Sequence, residues 1–316
     1  MDCRVKPGND DRDVWFSMNS TLAVLAVLDG ISYAALVFLV SVGLSLIFGV
    51  LRVVNVAHGS FYAFGAYLAA TFSLAIAPLS PWLTYPALVV ASIVIGVICG
   101  GLIERFLLRP LYGRDDILQL LITFAAFMIM DNLQRLIWGV QPIFAAEPLK
   151  LLPNISVFGV NYTSYQVLLL PGVALLTLAG LRYFLRRTLA GAVILAVTED
   201  REAATAIGID AKRVYFITFI IGASFAALGG ALASPTTSLV PGMGADMIVL
   251  SFAVAATAGL GQIEGTAVTA LMIGLTRAFI IYIQPEFEVL VPYLLMVLVL
   301  LARPFGLFGA VQVRKI

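Results

Sequence analysis

Residues 182–213 read RYFLRRTLAGAVILAVTEDREAATAIGIDAKR. The stretch carries six of the nineteen Lys and Arg residues: Arg182, Arg186, Arg187, Arg201, Lys212 and Arg213. Long apolar runs lie on both sides, so it is a loop in water between two membrane segments. Basic loops stay in the cytoplasm. Within it is a short helix signal, from about Glu199 to Ile207. The Thr198 hydroxyl is placed to accept from a free N–H of the first turn. Glu199, Asp200 and Glu202 put negative charge where the macrodipole favours it. Gly208 stops the helix as a left-handed C-cap, with apolar Ile209 beyond. Ala203 and Ile207 share one face with Ala204 beside them, and small side chains there let a partner approach closely.

Working outward, the rest of the chain is mostly apolar. Of 316 residues, 61% are hydrophobic and 12% charged, with a mean hydropathy of +1.02. Soluble domains carry about 25% charged residues, so this is a polytopic membrane protein. Long apolar runs with Gly and Ala fit all-α spans of roughly 20 residues rather than a barrel. Eight or nine are expected: 30–50 (with a lead-in from 22), 56–77, 82–108, 117–138, 165–185, 214–233, 245–258, 265–283 and 287–302. The seventh is short and bounded by glycines, so it either crosses fully or is re-entrant or broken.

Charge orients these spans. Arg52, Arg105, Arg109, Arg114, the six residues above, Arg303, Arg314 and Lys315 fall on one side. The other has Lys150, with Arg135 at a span end. The first set marks the cytoplasm. Residues 1–17, MDCRVKPGNDDRDVWFS, are polar, lack the apolar core of a signal peptide, and break the charge rule at Arg4, Lys6 and Arg12. They are read as a disordered or non-native extension, with Met18 as the start and 18–316 as one permease domain. The coupling loop covers about 186–213.

Two further strings carry signal. Asn55–Ala69, NVAHGSFYAFGAYLA, places Gly59, Ala63 and Ala66 at the spacing that packs helices closely in lipid. Asn55 can cap the span. His58 either sits in a tightly packed corner or touches substrate or proton. Ala258–Gly265, AGLGQIEG, is a turn around Gly259 and Gly261: a tight connection, or a hinge in transport. Polar side chains inside spans are costly, which singles out Gln119, Thr123 and Asp131. Asp131 and Arg135, four apart, can pair. Arg277 either snorkels or meets Glu286.

The set Glu202-Ala203-Ala204, three residues, then Gly208 resembles the EAA loop of ABC importer permeases. GLSLIFGVLRVVN (43–55) and the Asn55 string resemble the branched-chain amino acid permease family, LivH type. The motifs fall in family order over about residues 30–305. Two departures stand out: no arginines near Ala192 and Leu195, and Ala258-Gly259 in place of a glycine pair. The resemblance implies an ABC importer permease fold in the bacterial inner membrane, among membrane lipid. It implies that Glu202, Ala203, Ala204, Ile207 and Gly208 contact an ATPase. It also implies a second LivM-like permease, LivG- and LivF-like ATPases and a periplasmic substrate-binding protein. Asn55, His58, Gly59, Gln119, Thr123, Asp131, Gly259 and Gly261 become candidates for the path or its gate.

Absences narrow the chemistry. There is no G-x-x-x-x-G-K-[ST] phosphate loop. The single histidine excludes a multi-histidine metal site, and Cys3 and Cys99 form no disulfide framework. No catalytic group, cofactor, metal or nucleic acid is expected. Urea, short amides or aromatic acids are alternative cargoes. A stand-alone secondary transporter or channel is the rival class, and it would need intramembrane coupling-ion carboxylates.

Overall fold

The computed structural model describes residues 10–157 and 159–309, with side chains from residue 21 onward. Helix α1 (Asp10–Leu51) is followed by α2 (His58–Ile76), the helical run α3 (Pro81–Leu111) and α4 (Asp116–Trp138). The next connection holds a short α5 (Glu147–Leu151) and an antiparallel hairpin, β1 (Asn154–Val157) with β2 (Val160–Thr163). Then come the run α6 (Tyr165–Arg187), α7 (Leu189–Glu199), α8 (Arg201–Ala206) and α9 (Ala211–Ala233). The last are α10 (Met243–Ala258), α11 (Ile263–Ile283) and α12 (Leu290–Ala302). The expectation for residues 1–17 falls, for 1–9, outside the described residues.

Among the described residues, seven of these helices are long and apolar enough to cross a membrane: α1 from Thr21, α2, α3, α4, α6, α9 and α11. The expected seventh and ninth spans are the shorter helices α10, of 16 residues, and α12, of 13. At 1.5 Å per residue they reach roughly 24 and 20 Å, less than a hydrocarbon core of about 30 Å. A 3₁₀ turn (Pro285–Phe287) leads into α12, and residues beyond it return to α10, where the Leu307 N–H bonds the Thr257 carbonyl at 2.9 Å.

Helix α1 is the mast. Its most apolar window is 89% buried, against 22% in α4 and 11% in α6. It packs chiefly on α9 and α11. Val37, Leu39, Val40, Val42 and Ile47 have no exposed surface, as expected for a helix that is hydrophobic all round. Helices α4 and α6 form the rim. Backbones approach closely at small residues, since apolar burial gives no drive between helices in lipid. A Cβ on Gly65 of α2 would lie 2.6 Å from Ala227 Cα of α9.

Past the exposed Arg52, the corner between α1 and α2 is not at the surface. Arg52 turns the chain with φ +56°, and Val53, Asn55 and Ala57 are buried. His58 opens α2 beside Val40, eleven residues back along α1. The chain therefore climbs back into the bundle before α2 begins. Non-helical backbone at membrane depth survives only when buried in protein. Here Thr123 Oγ1 accepts from the Val56 N–H at 3.3 Å, and Asn55 Oδ1 from the Ala57 N–H at 3.1 Å. Asn55 thus holds the turn ahead of α2 rather than capping the helix, whose N-cap is Ala57.

Helix α10 also starts inside the bundle. Its Gly244 meets Gly59 of α2, and a Cβ on Gly244 would lie 2.7 Å from the Gly59 carbonyl oxygen. Two helix N-termini therefore abut. Gly265, by contrast, stands against Phe308.

Candidate coupling face and translocation path

The loop after α6 folds as two helices in series. Thr188 caps α7, its Oγ1 accepting from the Gly191 N–H at 3.0 Å. Helix α7 continues through Glu199, so the Thr198 hydroxyl donates back to the Ile194 carbonyl at 2.8 Å. The expected cap is instead Asp200, whose Oδ1 accepts from the Ala203 N–H at 3.0 Å. Gly208 stops α8 at φ +93°. The Gly208 N–H bonds the Thr205 carbonyl at 3.0 Å and the Ile209 N–H bonds that of Ala204 at 3.1 Å, the paired bonds of a Schellman stop.

The candidate coupling residues divide between two faces. Glu202, Ala203, Ile207 and Gly208 are exposed, Ile207 by 79%. Ala204 is buried and turns toward the chain's own bundle. The outward surface of α8 therefore carries Glu202 beside small side chains and ends in a bare isoleucine.

A chain of aromatic and charged contacts runs from α8 into the membrane. The Arg201 guanidinium lies over the Tyr215 ring at 5.6 Å. Tyr215 meets Tyr112 edge-on at 5.0 Å. The Tyr112 hydroxyl donates to Glu104 Oε1 at 3.0 Å. Glu104, fully buried in a wide turn of α3, also faces Arg109 at 3.4 Å. Burial, reinforced by the Glu104 carboxylate, raises the Tyr112 pKa, so this hydroxyl stays a donor at neutral pH. Sequence reading missed Glu104. The available signal was a glutamate between apolar Ile103 and two arginines, 105 and 109, near a span end.

Three distant motifs line one cleft of about 650 Å³ at the same end of the bundle. Phe48, Gly49 and Arg52 come from α1, Thr198 and Glu199 from the coupling loop, and Gly261 and Gln262 from the turn after α10. Gly259 and Gly261 have φ of +102° and +90°. Gly261 crosses Gly49, a Cβ on the former lying 3.0 Å from Gly49 Cα. Residues 305–309 strap the turn, the Phe308 N–H bonding the Ala258 carbonyl at 2.9 Å.

A family model described as "Branched-chain amino acid transport system / permease component" matches residues 26–300. The chain belongs to this family. The "High-affinity branched-chain amino acid transport system permease protein BraD" of Pseudomonas aeruginosa is 30% identical over 300 residues, 92% of this chain and 97% of that one. LivH of Escherichia coli K12, described in the same words, is 27% identical over 296 residues, 91% and 96% of the two chains. A "Probable branched-chain amino acid transport permease protein LivH" of Methanocaldococcus jannaschii is 27% identical over 303 residues, 90% and 92% of the two.

In this permease the path candidates do not converge on one cavity. Asn55, His58 and Gly59 lie together at the start of α2, all buried. His58 Nε2 lies 2.9 Å from the Val40 carbonyl, and Nδ1 has no partner among the described residues. Thr123 joins them through Val56. Gln119 does not: its amide donates to the Arg114 carbonyl at 3.1 Å and closes the α3–α4 loop. Asp131 is at the opposite end of α4, paired to Arg135 at 2.7 Å. Arg277 pairs with Glu288 rather than Glu286 and lies over the Tyr33 ring at 3.9 Å. Gly261 lines the cleft beside the coupling loop, and Gly259 stands in the turn just before it.

Proposed function

We propose that this permease is a membrane subunit of an ATP-driven importer that carries branched-chain amino acids across the bacterial inner membrane. It pairs with a second, LivM-like permease. Two LivG- and LivF-like ATPases dock on the cytoplasmic side, and a periplasmic binding protein delivers the ligand. The observation that carries this reading is the capped, apolar-tipped α8, which projects from the end of the bundle where the basic loops gather. A foot with a bare isoleucine and no net charge at its tip suits a groove on another protein.

The work is mechanical, and this subunit makes and breaks no bonds. Nucleotide binding closes the ATPases and displaces α8. The displacement reaches the bundle through Arg201, Tyr215 and Tyr112, and through the cleft where α1, the coupling loop and the α10–α11 turn meet. Nucleotide shifts inward- and outward-open states only by its differential affinity for them. The glycine turn at 259–261 is the natural hinge, because its left-handed backbone angles are ones that side chains disfavour.

The test is leucine uptake into proteoliposomes holding all subunits, with and without internal ATP. Uptake requiring ATP and the binding protein is expected. Ile207→Asp is expected to reduce copurification of the ATPases by about tenfold to a hundredfold, as loss of an apolar anchor does. Uptake by the permease alone, driven by an ion gradient, would overturn the reading.

A further inference from the structure

We infer that a second cleft, at the end of the bundle opposite α8, is an entry subsite for a zwitterionic aliphatic amino acid. The inference rests on the importer reading above and goes beyond it by assigning the site. The cleft holds about 210 Å³ between α1, α6, α11 and the turn after α9 that carries Thr236 and Thr237. One wall is apolar, formed by Leu36, Leu170, Ala278 and Ile281. Charges of opposite sign also line it, Asp29 on α1 and Arg277 on α11.

Neither charge is saturated by the protein. Asp29 accepts one hydrogen bond, from the Tyr282 hydroxyl at 2.5 Å, and has no cation within salt-bridge distance among the described residues. A carboxylate can accept about four. An ammonium group would complete it. Arg277 meets Glu288 through one terminal nitrogen and rests on the Tyr33 ring. Its other nitrogens have no acceptor among the described residues, and a guanidinium has five N–H donors suited to a carboxylate. A carboxylate and a guanidinium exposed to one small cleft beside an aliphatic wall match three parts of such a ligand: ammonium, carboxylate and branched side chain.

Position supports the assignment. In the orientation proposed above, the cleft opens toward the periplasm, where the binding protein releases its ligand. The wall uses α1, the most buried helix of the bundle, so occupancy there can bias the arrangement of the spans.

The experiment uses the assembled importer in proteoliposomes, with Cys3→Ser and Cys99→Ser as background. Ile281→Cys is labelled from outside with a membrane-impermeant maleimide, in the absence of binding protein. Saturating leucine is expected to slow labelling about tenfold. 4-Methylpentanoate, which lacks the ammonium, and isopentylamine, which lacks the carboxylate, are expected to leave the rate unchanged. Adding Asp29→Asn is expected to abolish protection by leucine, and Asp29→Glu to retain part of it. An unchanged labelling rate at saturating leucine, in a complex that imports leucine with ATP, overturns this site and leaves the importer reading standing. Equal protection by all three compounds also overturns it, showing an apolar cleft without charge recognition. A wild-type complex that imports no branched-chain amino acid overturns the reading beneath it.

Discussion

At the scale of single residues, Glu104 is the most consequential side chain that sequence reading passed over. A glutamate beside Arg105 near a span end looks like solvated surface. In the fold it is fully buried and holds Tyr112 and Arg109 together. Replacing it with alanine leaves a half-buried tyrosine hydroxyl and a half-buried guanidinium without their acceptor. Glu104→Ala is expected to cost about 1–3 kcal/mol and to lower the thermal midpoint of the detergent-solubilised protein. Glu104→Gln keeps an acceptor for Tyr112, so its midpoint should fall less; equal losses would show that the hydrogen bond contributes nothing. The capping of α8 teaches a related lesson. Thr198 and Asp200 are both good caps, and nothing local chooses between them. The choice falls to Asp200 because α7 runs on through Glu199.

Between elements, contacts depend on where a side chain is missing. Gly65 and Gly172 both lie within helices, and neither residue's own neighbours in sequence say what faces it. A Cβ on Gly65 would be 2.6 Å from the backbone of α9, whereas nothing lies within 4 Å of one on Gly172. Gly65→Val is therefore expected to destabilise by about 1–3 kcal/mol through overpacking. Gly172→Ala should be neutral or stabilising by up to roughly 1 kcal/mol through helix propensity. Thermal scans of the two variants side by side check this, and similar midpoints would mean that α2 and α9 separate easily. Small-residue spacing in 55–69 pointed to close packing. It did not reveal that α10 supplies a partner at Gly244, because that contact joins segments nearly two hundred residues apart.

Across the whole molecule, the charge pattern makes a topological prediction. Thr205→Cys, in α8, should react with an impermeant thiol reagent only from the cytoplasmic side, and Lys150→Cys, in α5, only from outside. The labelling is done in the same cysteine-free background, on intact cells and on inverted vesicles. Reaction of position 205 in intact cells would remove the docking foot from the ATPases and the function with it.

Composition and hydropathy settled the class of the molecule, because a lipid solvent permits few backbone solutions and each demands long apolar helices. Local chemistry likewise determined the left-handed stop at Gly208 and the ion pair of Asp131 with Arg135, since both act within a turn. Only the tertiary structure decided what distant segments share. It threaded residues 52–57 back into the bundle, gathered three motifs around one cleft, buried Glu104 and put Asp29 and Arg277 in another. Those outcomes depend on how helices pack in three dimensions, and no short window of sequence contains both partners of such a contact.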